Sequence, residues 1–340
     1  MIELKNLSVK YGDFVAVDNI DVTIKDGEFF TFLGPSGCGK TTTLRSISGF
    51  EMPSGGQILV DGDDISKLLP EERNIGFVFQ NYALFPSMSV FDNIAFGLKV
   101  KKMSRDFIKS KVEDIAQKVG ISEHLTKKIS ELSGGQQQKI AVARALVVEP
   151  KILLMDEPLS NLDAKLRVSM REEIKRLQSE LKITTIYVTH DQEEALAISD
   201  RIAVFNKGTV EQIDTPQAVY DTPASAFVAE FIGTINHLEG MAEESCKKSM
   251  GIDRAAQVYI RPQKILVSSM KAKNSEETIT IRGQIKSFEF LGAYSKVSVR
   301  DDGQGEITSF LFSNVNRFQV GDMVYASFEK KDVLVFGGGL

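Results

Sequence analysis

The sequence predicts an α/β domain organised around a parallel sheet, followed by a small all-β domain. Three observations carry that prediction. Apolar runs closing on polar residues, "EFFTFLG", "KILLMDEP" and "TTIYVTH", alternate with helical patterns, a rhythm of strand, helix and strand that means parallel strands joined by crossover helices. The stretch "GPSGCGKT" at 34–41 meets the GxxxxGK[ST] pattern of a phosphate-binding loop, and it stands after a buried strand and before a helix. Towards the C-terminus the pattern changes: "ITIRGQIK" alternates apolar and polar residues strictly, and "YSKVSVR", "ITSFLF" and "VYASF" repeat the strand signal between Gly and Asp turns.

In chain order, residues 1–33 read as short strands: "IELKNLSVKYG", "FVAVDNIDVTI" and the buried "EFFTFLG". From Thr42 the pattern "TTLRSISGF" turns helical and stops at Gly49. "GGQILVDGDDI" returns to strand and turn, residues 104–148 are helix-rich and broken by "ELSGG", and "KILLMDEP" reads as a buried strand. The helix "DAKLRVSMREEIKRLQSELK" and the strand "TTIYVTH" follow. The character changes after "FVAEFIG" near Gly233, so we place one domain at 1–236, with a helical subdomain at about 85–150, and a β-rich domain at 237–340.

Composition narrows the function. Of 340 residues, 42% are hydrophobic and 26% charged, ordinary values for a globular protein. With 41 Lys and Arg against 46 Asp and Glu, the formal charge is −5, and no dense basic run with interleaved aromatics points to nucleic acid. Cys38 and Cys246 form no CxxC or Cys/His cluster, which argues against a disulfide framework or a zinc site and fits a reducing cytoplasm. "MIELKNLSVKYG" lacks the apolar stretch of a signal peptide, and no apolar run approaches the ~18 residues of a spanning helix. If a membrane matters, another chain is expected to cross it.

The phosphate loop assigns roles by residue type. Gly34, Gly37 and Gly39 let backbone N–H groups approach phosphates, with Pro35, Ser36, Cys38 and Thr42 in the same nucleotide-binding set; Lys40 reaches the outer phosphates and Thr41 offers a hydroxyl to Mg²⁺. Asp156 and Glu157 close a buried strand. Adjacent side chains at a strand end point different ways, so Asp156 is expected to face the metal and Glu157 an attacking water. Of the three histidines, 124, 190 and 237, only His190 ends a buried strand, at the carboxyl edge where open α/β sheets bind ligands. A γ-phosphate contact is expected of it. A helix N-terminus and Lys40 both favour a thiolate at Cys38, which predicts a depressed thiol pKa.

"LSGGQQQKIAVARAL" at 132–146 poses a puzzle. A serine and two glycines run into an amphipathic helix, presenting a second anion-binding end in a chain that already has a complete phosphate loop.

Together these stretches resemble the ATPase subunit of an ATP-binding cassette (ABC) transporter, nearly continuously over residues 1 to about 235. "LSGGQ" at 132–136 matches the family signature, "SNLD" at 160–163 its D-loop and "THDQEEA" its histidine switch region; Gln80 in "FVFQNYALFP" matches the Q-loop, and Tyr11 in "KYGDFVAV" the aromatic that stacks on adenine. The resemblance implies a P-loop NTPase cassette with a helical subdomain, ATP and Mg²⁺ as ligands, and catalytic roles for Glu157, His190 and Gln80, with Gln80 also on the metal beside Thr41 and Asp156. It also resolves the puzzle, because in this family two subunits pair head to tail: Ser133, Gly134, Gly135, Gln136 and Asp163 would then serve nucleotide held by the partner chain. Family members often show arginine where this chain has Lys139, whereas Arg144 stands where the family has it.

The resemblance further implies a homodimer on the cytoplasmic face of the membrane, working with permease subunits and, through them, with a periplasmic or extracellular substrate-binding protein. "NYALFPSMSVFDNIAFGL" looks like the importer segment that receives the permease, with Tyr82, Leu84, Phe85 and Phe91 exposed. The C-terminal region resembles the OB-like (TOBE-type) extension of importer ATPases for polyamines, ferric iron, sulfate, thiamine, phosphonates and sugars. "FIGTIN" lacks the SPxMN ending usual in sugar members, which leans the reading towards polyamine, iron or phosphonate. A soluble cassette ATPase acting on nucleic acid or ribosomes is the alternative, although such proteins carry a coiled-coil or basic insertion and this chain has ordinary helical sequence between Gln80 and Leu132. A small-molecule kinase would need an acceptor lid and has no use for "LSGGQ".

Overall fold

The computed structural model describes residues 1–271, 276–312 and 318–337. Two compact units divide the chain, Met1–Asp221 and Thr222–Leu340.

The first unit opens with β1 (Ile2–Tyr11), β2 (Phe14–Ile24) and β3 (Phe29–Leu33), followed by α1 (Lys40–Ser48), β4 (Gly55–Val60), β5 (Asp63–Asp64) and β6 (Ile75–Val78). Three helices come next, α2 (Val90–Val100), α3 (Arg105–Lys118) and α4 (Gly134–Leu146). The remainder alternates: β7 (Ile152–Asp156), α5 (Ala164–Leu181), β8 (Thr184–Thr189), α6 (Gln192–Ile198), β9 (Arg201–Asn206), β10 (Thr209–Asp214) and α7 (Pro216–Asp221).

Two sheets result. An antiparallel sheet runs β2-β1-β4-β5, and a six-stranded sheet runs β10-β9-β3-β8-β7-β6 with all neighbours parallel except the β10–β9 pair. Strands β3, β7 and β8 are buried along their whole length, as parallel strands covered on both faces must be, which is why they read as unbroken apolar runs. In β1, by contrast, Ile2, Leu4, Leu7 and Val9 point into a core shared with β2 and β3 while the residues between them are partly or fully exposed. Helices α2, α3 and α4 bury Ile94, Val112 and Ile140 in a second core. Serines cap them: Ser89, Ser104 and Ser133 each accept from a backbone N–H in the first turn.

Register brings the functional strand ends level. Leu33 pairs with Thr189, Asp156 with Val188, and Val78 with Met155, so β3, β8, β7 and β6 finish along one edge. Because β3 lies between β9 and β8, the loop after it emerges where the strand order reverses, the usual ligand crevice of such sheets.

The second unit contains α8 (Ala226–Phe231), β11 (Asn236–His237), α9 (Gly240–Met250), β12 (Gln257–Ile260), β13 (Leu266–Ser268), β14 (Thr278–Phe290), β15 (Ser295–Asp301), β16 (Glu306–Leu311), β17 (Met323–Glu329) and β18 (Val333–Phe336). Its sheets run β11-β12-β18 and β13-β17-β14-β15-β16. The alternation in "ITIRGQIK" becomes β14, with Ile279, Ile281 and Ile285 facing inwards. Helix α9 is an addition to the β pattern that the sequence reading left unassigned; Ala242 and Cys246 pin it to the β core. Residues 222–236, grouped with the cassette on sequence, fall in the second unit. Buried Arg261 there donates to the carbonyls of Ala229, Ile232 and Thr234, and Tyr259 to Glu230.

Candidate functional site

The loop after β3 is shaped by glycines that the backbone leaves no choice about. A Cβ at Gly34 would lie 2.5 Å from the Phe205 carbonyl oxygen, and one at Gly39, where φ is 103°, would lie 2.6 Å from that of Ala16. Gly37 also has positive φ, at 77°, yet a Cβ there would meet nothing within 4 Å. The fold therefore packs two glycines tightly and turns the third, with Pro35 and Ser36 beside it, towards open space. Gly39 caps α1 without a side chain, so no side chain competes for the first N–H groups of that helix. Lys40 is buried, its Nζ donating to the carbonyls of Gly34 and Pro35 at 2.8 Å each. Its ammonium is thus stored within the loop.

Thr41 Oγ1 donates to Asp156 Oδ1 at 2.8 Å, joining the start of α1 to the end of β7. Asp156 is 6% exposed, and burial raises its carboxyl pKa against the opposing pull of the Thr41 hydrogen bond and Arg45. A buried carboxylate beside a hydroxyl is an oxygen donor pair that a hard cation would relieve of its desolvation cost, and it suits Mg²⁺, which takes few protein ligands and completes its shell with phosphate and water. Among the described residues no cluster of three or more His, Cys, Asp or Glu could hold a metal by itself. Tyr11 is exposed at the end of β1, with Thr42 and Glu51 near its hydroxyl.

Cys38 departs from expectation. The thiol is 3% exposed and belongs to the apolar core under the loop, and burial raises its pKa in spite of Lys40 Nζ at 3.7 Å. Desolvation of a thiolate outweighs a neighbouring ammonium that is itself engaged with carbonyls. The predicted depressed pKa is therefore wrong, and at this position the loop contributes its backbone and a small side chain turned inwards.

Gln80, Glu157 and His190 meet. Glu157 Oε2 accepts from Gln80 Nε2 at 3.2 Å, and Oε1 stands 3.2 Å from His190 Nδ1. Glu157 adopts φ 44°, left-handed for a residue with a Cβ, while its N–H still bonds the Val188 carbonyl on β8. Such strain persists where the surroundings over-determine it, and it turns the side chain away from the line of β7 that Asp156 ends. Asn161 Nδ2 holds the Gln80 carbonyl at 2.9 Å, and Ser160 Oγ lies 3.4 Å from Gln80 Nε2. Sequence reading quoted "SNLD" but gave Ser160 and Asn161 no part; two polar residues in a turn carry no signal of which loop they hold.

Ser133 caps α4, and the box is reciprocal: Gln136 N–H reaches Ser133 Oγ at 3.4 Å and Ser133 N–H donates to Gln136 Oε1 at 2.9 Å. Gln136 Nε2 also meets His124 Nε2 at 2.9 Å. A Cβ on Gly134 would sit 3.2 Å from Leu162 Cδ2 and one on Gly135 would sit 2.9 Å from Leu166 Cδ2, so the small residues let α4 approach the turn before α5. Asp163 caps α5, accepting from Leu166 N–H at 3.0 Å. Lys139, the departure from the family pattern, pairs with Glu173 at 2.7 Å.

The segment after Gln80 lines a groove of about 420 Å³ with Phe77, Phe79, Phe85, Phe96, Arg144 and Val148. Tyr82 was expected to be exposed and is instead 6% exposed within the core; Leu84 and Phe91 are partly buried against the same core. The reason is the backbone: Tyr82 and Ala83 are both left-handed, at φ 62° and 46°, which folds the tyrosine inwards, and Arg144 donates to both carbonyls at 2.8 and 2.7 Å. Phe85 and Phe96 remain at the groove wall, ring centroids 4.6 Å apart.

Comparison with known proteins agrees with this geometry. A family model described as ABC transporter matches residues 17–160 and one described as TOBE domain matches 258–336. The chain is 44% identical over 345 residues to the spermidine/putrescine import ATP-binding protein PotA of Acetivibrio thermocellus, covering 98% of this chain and 95% of the relative. It is 43% identical to the PotA of Nitrosomonas eutropha, covering 97% of each. Among solved structures, cbiO1 from Clostridium perfringens, part of the ABC transporter complex cbiONQ, superposes with a TM-score of 0.61 at 33% identity, over 66% of this chain and 91% of that one. The dimeric post-hydrolysis state of the ATP-binding cassette MJ0796 bound to ADP and Pi gives 0.57 at 33% identity, over 64% and 99%. A glycine-rich loop, two adjacent carboxylates and a histidine gathered on one sheet edge, in a chain that also carries a TOBE domain, thus occur in a member of the ABC transporter family, an ATPase subunit of the importer type.

Proposed function

We propose that this protein powers polyamine uptake, acting as a homodimer whose two cassettes close on two ATP molecules. The observation that carries the hydrolytic reading is the placement of Glu157 between Gln80 and His190, on the sheet edge that also bears Lys40, Thr41 and Asp156. Lys40 leaves the Gly34 and Pro35 carbonyls for the outer phosphates, and the N–H groups of Gly37, Gly39 and the first turn of α1 cradle the others. Tyr11 offers its exposed ring to the adenine. Thr41, Asp156 and the Gln80 carboxamide oxygen would hold Mg²⁺, which would supply charge that offsets that of the phosphates. Glu157 accepts the proton of the attacking water, oriented by Gln80, while His190 turns from Glu157 to the γ-phosphate. These groups position and stabilise; little covalent chemistry is asked of the protein.

The second anion site belongs to the partner's nucleotide. Ser133 keeps its hydroxyl proton free to donate while its oxygen caps α4, and Gly134 and Gly135 add uncapped N–H groups at a helix end. Asp163 stands at the neighbouring helix start. The dimeric cassette among the solved relatives supports this reading. The groove at Phe85 and Phe96 is where we place the permease, which receives cargo from a substrate-binding protein outside; no helix among the described residues is long and apolar enough to cross a membrane, and we place the chain on its cytoplasmic face.

Polyamine is favoured over iron or phosphonate by the relatives named for spermidine and putrescine. Coexpression with its permease and binding protein in proteoliposomes tests this: ATP-driven accumulation of spermidine, lost in Glu157→Gln, is expected, and uptake of ferric iron or a phosphonate with no spermidine uptake would overturn the substrate.

A further inference from the structure

Arg167, four residues into α5, touches three segments that the hydrolytic reading uses only separately. Its NH2 donates to the Leu162 carbonyl at 3.2 Å, just before Asp163. Its NH1 donates to Asp191 Oδ2 at 3.1 Å, and its Nε faces Glu194 Oε1 at 3.8 Å, beyond hydrogen-bond distance. Those two carboxylates follow His190 in the chain, one at the start of α6 and one in its first turn. Asp191 N–H bonds Thr189 Oγ1 at 2.9 Å, Asp191 Oδ1 caps α6 by accepting from Glu194 N–H at 3.1 Å, and Glu194 Oε2 accepts from both Tyr187 OH and Thr189 Oγ1 at 2.8 and 2.9 Å.

Thr189 and Asp191, on either side of His190, are therefore held by hydrogen bonds, while the imidazole itself is 54% exposed. Glu194 is buried and accepts from two hydroxyls, and a cation beside it offsets part of the charge that those bonds leave uncompensated. Arg167 supplies that cation from the helix whose first turn follows Asn161 and Asp163.

We infer that Arg167 is a positioning residue that ties the turn at Leu162–Asp163 to the loop carrying His190, so that a displacement of the one re-aims the imidazole of the other. The guanidinium suits this because its planar fork serves a carbonyl and a carboxylate at once, which a lysine ammonium on a flexible stem does poorly. The inference rests on the proposed role of His190 in hydrolysis.

The test uses the full-length chain with Arg167→Met, which keeps an unbranched stem and removes its donors, and Arg167→Met with Glu194→Gln, which removes the stranded buried charge should the single variant fold poorly. Turnover per folded molecule is expected to fall roughly tenfold, within the ~10²-fold that an ångström-scale misplacement of a reacting group costs, with KM for ATP within about twofold. The His190 imidazole resonances, identified by their absence in His190→Ala, are expected to move. Unmoved resonances, or moved resonances with wild-type turnover, would overturn the tie. Full turnover in His190→Ala would instead strike the role of His190 itself, leaving the resonance shift to report on the geometry separately.

Discussion

His190 Nδ1 stands 3.2 Å from Glu157 Oε1, although the two residues follow different strands, β8 and β7, and Glu157 reaches this position only through a left-handed backbone at φ 44°. The contact makes the carboxylate shared. Gln80 holds its other oxygen at 3.2 Å, so the carboxylate that we propose as the base is oriented from two sides.

Replacing Glu157 with Gln is expected to retain ATP binding and reduce turnover by about 10²–10⁴, the usual contribution of a general base. Phosphate release measured alongside size-exclusion chromatography checks this, the expected outcome being a dimer that persists with Mg-ATP. Near-normal turnover would move the base to another group.

Mixed dimers locate the second anion site. A chain carrying Lys40→Ala paired with one carrying Ser133→Arg has one doubly defective composite site and one intact site if each signature serves its partner. Retained ATPase activity in affinity-tagged heterodimers is expected, whereas loss of both sites would mean that each signature serves its own chain.

Asp156 illustrates a stability cost kept for ligand binding. Its folded pKa is raised from 3.8 by burial, so its contribution is most favourable at low pH and is lost as pH rises through the folded value; at neutral pH the buried ionised form is a burden. Asp156→Asn keeps the Thr41 contact and removes the charge. The nucleotide-free variant is expected to melt higher, by about 2–4 °C for each kcal/mol relieved, and to lose Mg²⁺-dependent hydrolysis. A lower melting temperature in calorimetry would show that the charge is already compensated.

Cys38 is expected to resist maleimide at neutral pH, because the thiol is buried and its pKa is raised. Wild type and Cys38→Ser should keep ATPase activity alike after treatment. Rapid inactivation of the wild type, blocked by prior Mg-ATP, would place the thiol at the loop surface instead.

The boundary between the units predicts the behaviour of fragments. A fragment of residues 1–236 carries Val228, Ala229 and Ile232, all buried in the full chain, without the Arg261 that holds the carbonyls of Ala229 and Ile232. Residues 1–221 are expected to bind ATP and to remain at least as soluble as 1–236. An insoluble 1–221 fragment beside a well-behaved 1–236 would place residues 222–236 in the cassette.

Much of this protein was legible from its sequence because short motifs carry their own local physics. "GPSGCGKT" demands glycines where φ is positive or a carbonyl stands within 2.6 Å of a would-be Cβ, and a capping serine ahead of Gly134 announces the start of α4 wherever that helix packs. Buried parallel strands read as apolar runs for the same local reason. What only the tertiary structure decided is direction. Cys38 lies in a loop that should ionise a thiol and is turned into the core; Tyr82 lies in a segment that should be exposed and is folded inwards by two consecutive left-handed residues that Arg144 clamps from α4. Arg167 looks like one more charge on an amphipathic helix until Asp191 and Glu194 arrive from the cap and first turn of another helix. Residue type sets which chemistry a side chain can offer, but desolvation and the partners it meets depend on segments far away in the chain, and those are fixed only when the chain packs.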